Sequence, residues 1–518
     1  MMRSRIFDRI FSSERGEHDK ATKAFHVLYM ILMCDVLAAA AYNMFLGFYS
    51  IGLTGMLLLY ILYRIRSEAK FSDRPGKDGR RRIKNLDNRT IWAIAKGISI
   101  AFMLVTAFGL RVNYSWDWGV VIQSAAFYVE SGDVLFDPVY FARYPNNCFF
   151  LYLLIGLFKA VKFFYHAAGM QTFTNVSIVV NCLLIQLSIT YLYKTSKLLW
   201  GEKKALRVGI ISLLCIPFYL YSQFLYTDTL GMLLGAMLLF YYFKLKNETV
   251  RNSKILYAVV LGIIAAVGFN VKVTVLIVWI AILAEMIWSN RDWKRLGLAA
   301  IMMLCLLVAN ILIQGLVQTE FSLSDELKDT YEFPLTHWVM MGLRGNGGYS
   351  QEDVDFTVSA GSYREKRQAN IEMIKARLNE MGASNLIKHI FFVKMRYTWG
   401  DSCLYGDNKV SRFPENEDGV FQKIFTYDGE WYKYCMQYTW AYHFIMILGV
   451  FLSGWYAMRK DGSQDLLVGR IAIVGYILFL SVWECRSRYL LTCLPILILV
   501  SWDGFFRFFE NSADVRKK

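Results

Sequence analysis

Charge is scarce in this chain. Asp, Glu, Lys and Arg make up 19% of its 518 residues, where a soluble chain of that length carries roughly a quarter. With 56% hydrophobic and 16% aromatic residues and repeated apolar runs of about 20 residues, the deficit excludes disorder and most soluble enzyme folds. No C-x-x-C pair occurs among the nine cysteines, which removes any signal for a zinc ribbon or dithiol redox motif. Most of them (Cys34, Cys148, Cys182, Cys215, Cys305, Cys493) sit in or beside apolar runs, where a thiol serves as a small hydrophobe. Cys403 and Cys435 fall in the one large polar segment and could pair. No H-E-x-x-H, histidine cluster or other metal-ligand spacing appears, so neither a metal nor a cofactor is expected. The glycine-rich stretch GLRGNGGY lacks the G-K-[ST] ending and reads as a turn-rich loop instead of a phosphate-binding P-loop. The polar start, to about Lys23, shows no cleavage-site pattern and does not read as a removable signal peptide.

What is present is a basic excess and a series of apolar runs. The 57 Lys and Arg against 42 Asp and Glu give a net charge of +15, but their placement does not point to nucleic acid. These residues cluster in short loops beside apolar spans, where they set orientation and meet anionic headgroups. Twelve runs read as spans, near 25–45, 46–63, 91–110, 174–193, 208–225, 228–244, 255–270, 271–288, 296–316, 437–457, 467–483 and 488–505. A thirteenth, 148–158, is too short to cross and continues into Lys159 and Lys162, so 148–165 reads as a surface or re-entrant helix. Parity supports this choice: the basic loops at 64–89, 194–207, 244–254, 289–295 and 459–466 and the tail then all fall on the cytoplasmic side, with both termini.

The expected class is therefore an all-α polytopic membrane protein of about twelve transmembrane helices. Its parts are a cytoplasmic N-terminus, hairpin and basic loop (1–90); a transmembrane module (91–316) with outer loop 111–147; an extracytoplasmic segment of about 120 residues (317–436); and C-terminal spans with a cytoplasmic tail (437–518). Loop 111–147, the junctions near 226–228 and 270–272, segment 317–436 and residues 484–488 share the outer face, where chemistry is expected.

Asp117 lies between Trp116 and Trp118 beyond a span. A carboxylate at headgroup level can meet a lipid from one side and a soluble group from the other, although the position equally suits a solvated loop acid. The stretch Val120–Ser131 carries a helical apolar stripe ended by Gly132 and reads as a surface helix. Asp228 sits at a tight junction between apolar runs; it reads as a functional acid, as a helix cap, or as both. Lys272 interrupts about thirty apolar residues, snorkelling to the interface or binding a phosphate. Glu484, Arg486 and Arg488 put an acid and two guanidiniums between two spans, as a phosphate fork or a structural pair. In the polar segment, His337 with Trp338 and Trp399 with Asp401 could line a sugar site, since aromatic faces and short acids suit pyranose rings.

In this order the pieces resemble the GT-C superfamily of polytopic glycosyltransferases, particularly family 39, whose relatives include protein O-mannosyltransferases and the bacterial aminoarabinose transferase of lipid A. The resemblance rests on the outer-loop Asp117, the surface helix ending at a glycine, and the turn Tyr144-Pro145-Asn146-Asn147. Asp228, the membrane-border Lys272 and the late Arg488-Tyr489-Leu490 with Pro495 complete it. It covers about 91–290 and 480–500, and the whole chain has the look of Gram-positive envelope enzymes. It implies transfer of a sugar from a polyprenyl-phosphate donor to a hydroxyl of an envelope glycan, lipid or protein on the outer face of the plasma membrane. Asp117 would be the catalytic base and Asp228 the second acid; Lys272 and Arg488, with Arg486, would hold the lipid phosphate, and Tyr144 and Asn146 would lie near the sugar or acceptor. Relatives often have Asp-Glu in the first loop, whereas Trp118 follows Asp117 here, which disfavours a metal site there. A lipid-linked glycan flippase and an envelope polysaccharide polymerase are the competing readings. A transporter commonly shows two related halves, and none is visible between 25–290 and 296–505.

Overall fold

The computed structural model describes residues 2–46, 53–57, 87–132, 135–289, 293–321, 323–458 and 466–514. Most of the expected second span, the basic loop 64–86, the loop 459–465 and the last four residues lie outside them. Among the described residues the architecture is helical, with one isolated antiparallel bridge, Val112 to Pro414, tying the first loop to the polar segment.

Nine helices among the described residues are long and apolar enough to cross a membrane, and Val275–Trp288 and Leu467–Val482 are shorter apolar helices. The bundle has two ends, which side-chain contacts identify. At one, Trp92 stacks on Tyr193 at 4.4 Å, Trp288 donates to Thr22 at 3.0 Å and Trp200 meets Phe506 at 5.2 Å. At the other lie Asp117, Asp228, Lys272 and the polar segment, onto which Asn43 Nδ2 is fixed by the carbonyls of Arg396 (3.1 Å) and Gly400 (2.9 Å).

Two expectations need correction. The run 208–225 forms no continuous spanning helix. Residues up to Ser212 finish a 43-residue helix kinked at Gly201 (φ 78°), and the chain restarts only for Ile216–Leu220, with Pro217 in its first turn. Proline has no N–H for the helical ladder and clashes with the turn before it, so an apolar run broken there becomes two pieces. The pieces still follow helix Asn88–Gly109: Tyr219 Oη reaches Ser99 at 3.1 Å and Gln223 Nε2 donates to Leu110 O at 2.5 Å. The run at 148–158 is also longer than expected, since Pro145–Phe164 has the length and apolarity of a span. Both its ends nevertheless meet the Asp117 end of the bundle. Asn147 accepts from Tyr226 Oη at 3.0 Å, Lys159 pairs with Glu320 at 3.1 Å, and Phe158 stacks on Phe173 at 4.6 Å, one residue before Thr174, which bonds Tyr114 at 2.6 Å.

The last helix, Leu494–Asp514, crosses helix Tyr432–Ala457 on glycine. A Cβ at Gly504 would collide with the backbone carbonyl of Gly449 and stand 2.6 Å from Ser453 N, so the two backbones touch as small residues allow in membranes. Gly504→Ala must separate them, and overpacking of this kind costs about 1–3 kcal/mol. A lower thermal midpoint in detergent is the expected result; an unchanged midpoint would show that the crossing relaxes freely. Beside it, the fully buried Arg470 donates to Ser453 Oγ at 3.0 Å and lies 3.5 Å from Asp503, which joins three helices by buried charge.

The polar segment is fastened to the bundle by Lys394. Its Nζ donates to the carbonyls of Gly342 (3.1 Å), Ser481 (3.0 Å) and Trp483 (2.8 Å). This holds the chain just before Glu484, and hence positions Arg486 and Arg488.

Candidate active site

Asp117 lies in the first turn of helix Trp116–Ser131, which ends at Gly132 in the left-handed region (φ 79°). A carboxylate in a first turn faces unpaired N–H groups and the positive end of the helix dipole. The helix opens on Trp116 at φ 45°, an uncommon conformation for a bulky residue. A chain of hydrogen bonds fixes the carboxylate: Tyr140 Oη donates to Asp117 Oδ1 at 3.0 Å, Asn147 Nδ2 to Tyr140 Oη at 2.8 Å, and Tyr226 Oη to Asn147 Oδ1 at 3.0 Å.

That chain leads to a second acid two residues on. Asp228 is 1% exposed at the start of helix Thr227–Asn247, and its carboxylate pairs with Lys272 through Oδ1 and faces Arg488 Nε at 3.6 Å through Oδ2. Tyr226 is the cap residue and no side-chain cap bond forms, so the acid serves the two cations and not the helix end. A separation of 3.6 Å is an ion pair but too long for a hydrogen bond, and Arg488 Nε has no hydrogen-bond acceptor. The guanidinium is therefore held by charge, with its donors still available, between the rings of Trp116 (5.0 Å) and Tyr226 (5.8 Å). Lys272 Nζ lies 5.0 Å from the Tyr489 ring.

The neighbouring shell comes from 401–489. Tyr489 Oη donates to Glu484 Oε2 at 2.5 Å, and Arg486 Nε lies 3.5 Å from Glu484 Oε1. Asp401 accepts from Ser487 Oγ (2.6 Å) and from the N–H groups of Cys403 (3.0 Å) and Tyr405 (2.8 Å), so it ties the polar segment to the late span.

The structure thus brings together Asp117, Asp228, Lys272, Arg486, Arg488, Glu484 and Asp401. Tyr144 sits beside them, 5.1 Å ring to ring from Tyr140, and Asn146 is exposed in the adjoining turn. Trp338 stacks on Trp483 at 6.3 Å. His337 and Trp399 do not join. His337 is buried against Phe333 at 4.3 Å and bonded to Thr357 at 2.7 Å, and burial lowers its pKa to about 4, which leaves a neutral packing ring. Trp399 is fully buried and its carbonyl accepts from His443 at 2.7 Å. Cys403 and Cys435 are separate thiols. Sequence reasoning missed Tyr140, Asn147 and Tyr226, which carry the hydrogen-bond chain, and Lys409, which lies over Trp116 at 3.8 Å. Only the recurrence of tyrosine and asparagine close to Asp117 and Asp228 could have pointed to the first three.

Asp407, next to this shell, accepts from Tyr432 Oη at 2.8 Å. Burial, and then the nearby Asp401, raise its pKa to about 6. A carboxyl whose folded pKa lies above its unfolded value favours folding at low pH, and that contribution is lost as pH rises from about 4 through about 6. For a shift of this size the swing is on the order of 2–3 kcal/mol. Asp407→Asn should flatten that part of the stability profile, read as thermal midpoints from pH 4 to pH 8. Parallel profiles for the two proteins would refute it.

A family model described as "Conserved hypothetical integral membrane protein" matches residues 19–503. The chain belongs to that family. It is accordingly a multi-pass integral membrane protein. No curated protein matches it. Among solved structures it is similar to the apo oligosaccharyltransferase of Archaeoglobus fulgidus, with a TM-score of 0.45 and 13% identity over 83% of this chain and 51% of that one. It is similar to AglB of the same organism in complex with an inhibitory peptide and a dolichol-phosphate, with a TM-score of 0.43 and 12% identity over 82% and 51%. ArnT from Cupriavidus metallidurans bound to undecaprenyl phosphate gives a TM-score of 0.37 and 12% identity over 80% and 78%. The chain spans about half the length of the Archaeoglobus proteins.

Proposed function

We propose that this chain is a membrane glycosyltransferase that moves a sugar from a polyprenyl-phosphate-linked donor to a hydroxyl of an envelope glycan, lipid or protein. One observation carries the reading: a carboxylate held by a tyrosine, Asp117, stands beside a buried cation pair, Lys272 and Arg488, that one acid, Asp228, holds without using all of Arg488's donors. The site lies where apolar helices end and the polar segment begins, which suits a substrate with a prenyl tail and a polar head. The motif resemblance to the GT-C superfamily agrees with it. The Asp117 end faces outward in this reading and both termini face the cytoplasm, because the described basic loop 194–207 lies at the opposite end. Helix 145–164 then lies along the outer face, since both its ends meet elements there.

The chemistry follows from the charges. The Asp117 carboxylate accepts the proton of the acceptor hydroxyl as its oxygen attacks the anomeric carbon. The bond from that carbon to the phosphate oxygen breaks, and Lys272 and Arg488 stabilise the charge that grows on the leaving lipid phosphate. Asp228 keeps both cations charged in a buried place, and the Tyr140 hydroxyl orients Asp117. The activated donor makes a nucleotide unnecessary.

The test is transfer of labelled sugar from polyprenyl-phosphate donors to envelope acceptors in membranes containing the chain. Product that forms only with the chain supports the reading. Failure with every donor, alongside movement of lipid-linked glycan across the bilayer, would favour a flippase.

A further inference from the structure

A buried cation stands in this site without an anion. Lys409 is 4% exposed, and among the described residues its ammonium makes no hydrogen bond or ion pair; its contacts are the Trp116 ring at 3.8 Å and the Tyr405 ring at 5.7 Å. Among the charged groups that act on it most strongly, Arg488, Arg486 and Arg412 outnumber one acid, Asp117, and among the described residues no acid forms an ion pair with it. Arg488 lies 5.0 Å from the same Trp116 ring, so one indole carries two cations, one from the late span and one from the polar segment. The turn that delivers Lys409 is strained, with Leu404 at φ 52° and Tyr405 at φ 64°. Two successive left-handed residues other than glycine persist only where surrounding structure holds them, commonly at binding sites.

An ammonium placed among guanidiniums on a residue only 4% exposed is disfavoured in its charged form. Burial, and then Arg488 and Arg486, push its pKa down to about 6. An anion between Lys409 and Arg488 would reverse that. The acids present do not fill the role, since Asp228 serves Lys272 and Arg488, Glu484 serves Arg486, and Asp117 is bonded by Tyr140.

We infer that Lys409, with Arg486, forms a second anion subsite beside the position of the first phosphate, and that the lipid donor is a polyprenyl diphosphate sugar and not a monophosphate. This rests on the lipid-donor reading above and names its substrate class. The second phosphate adds one negative charge next to the first, where Lys409 and Arg488 share an indole. On transfer, the bond from the anomeric carbon to the nearer phosphate oxygen breaks, the acceptor oxygen takes its place, its proton goes to Asp117, and polyprenyl diphosphate leaves with one further negative charge.

The experiment uses the full chain in lipid nanodiscs and measures displacement of a labelled polyprenyl phosphate by unlabelled polyprenyl phosphate and polyprenyl diphosphate of equal tail length. Wild type should bind the diphosphate at least about tenfold more tightly. Lys409→Met, close in shape and checked for an unchanged thermal midpoint, should bring the two lipids to near-equal affinity, and Lys409→Arg should keep most of the preference. Equal affinities in wild type, or a preference that survives Lys409→Met, would overturn the subsite while leaving the lipid-donor reading standing. Displacement by inorganic pyrophosphate as effective as by the lipid diphosphate would overturn the lipid assignment. Absence of binding by either lipid would remove both this inference and the proposed function.

Discussion

Asp117→Asn is expected to reduce sugar transfer by about a hundredfold or more, the scale of a lost general base, with protein level and thermal midpoint unchanged. The amide keeps the shape and can still accept from Tyr140, whose hydroxyl now donates to Asp117 at 3.0 Å, but it cannot take a proton from the acceptor. The effect should fall on kcat at saturating donor, because the proposed mechanism gives the donor's phosphate to Lys272 and Arg488 and not to Asp117. A rise in donor KM with kcat preserved would instead assign Asp117 to binding. Equal transfer in both proteins would remove it from the mechanism.

The second large effect concerns stability. Asp228→Ala leaves Lys272 and Arg488 buried without the acid that pairs with both, and breaking a buried pair from one side costs about 3–5 kcal/mol. The expected result is a markedly lower thermal midpoint or loss of folded protein. Adding Lys272→Met to it should recover part of that loss, because one of the stranded charges is then gone, and the coupling measured in this cycle reports the pair itself. A single variant within about 0.5 kcal/mol of wild type, the range of ordinary surface changes, would mean that water reaches the cations and that Asp228 does little for folding.

Much of the site is legible in the sequence because charge inside apolar runs is conspicuous. Asp228, Lys272 and Arg488 stand out against their neighbours, and the structure joins them. The residues that stayed hidden did so for physical reasons. Tyr140, Asn147 and Tyr226 carry the hydrogen bonds between the two acids, yet a tyrosine among aromatics carries no local mark of whether its hydroxyl will be buried. Lys409 looks like any lysine of a polar segment until the turn at 404–405 carries it onto Trp116. The reverse holds for His337 and Trp399, which are fully buried, because composition does not separate a ring lining a cavity from one packed in a core. For the fold, apolar length located the helices but missed the break at Pro217, where a missing N–H matters more than hydropathy.

The triad of Asp228, Lys272 and Arg488 also has an order in time. The chain is made from its N-terminus, so the acid and the lysine emerge together while the arginine follows more than two hundred residues later, at the start of the span Ser487–Phe509. Until that span arrives, the acid has one cation instead of two. The cluster of three charges is therefore completed late in synthesis, by the span that carries Arg488.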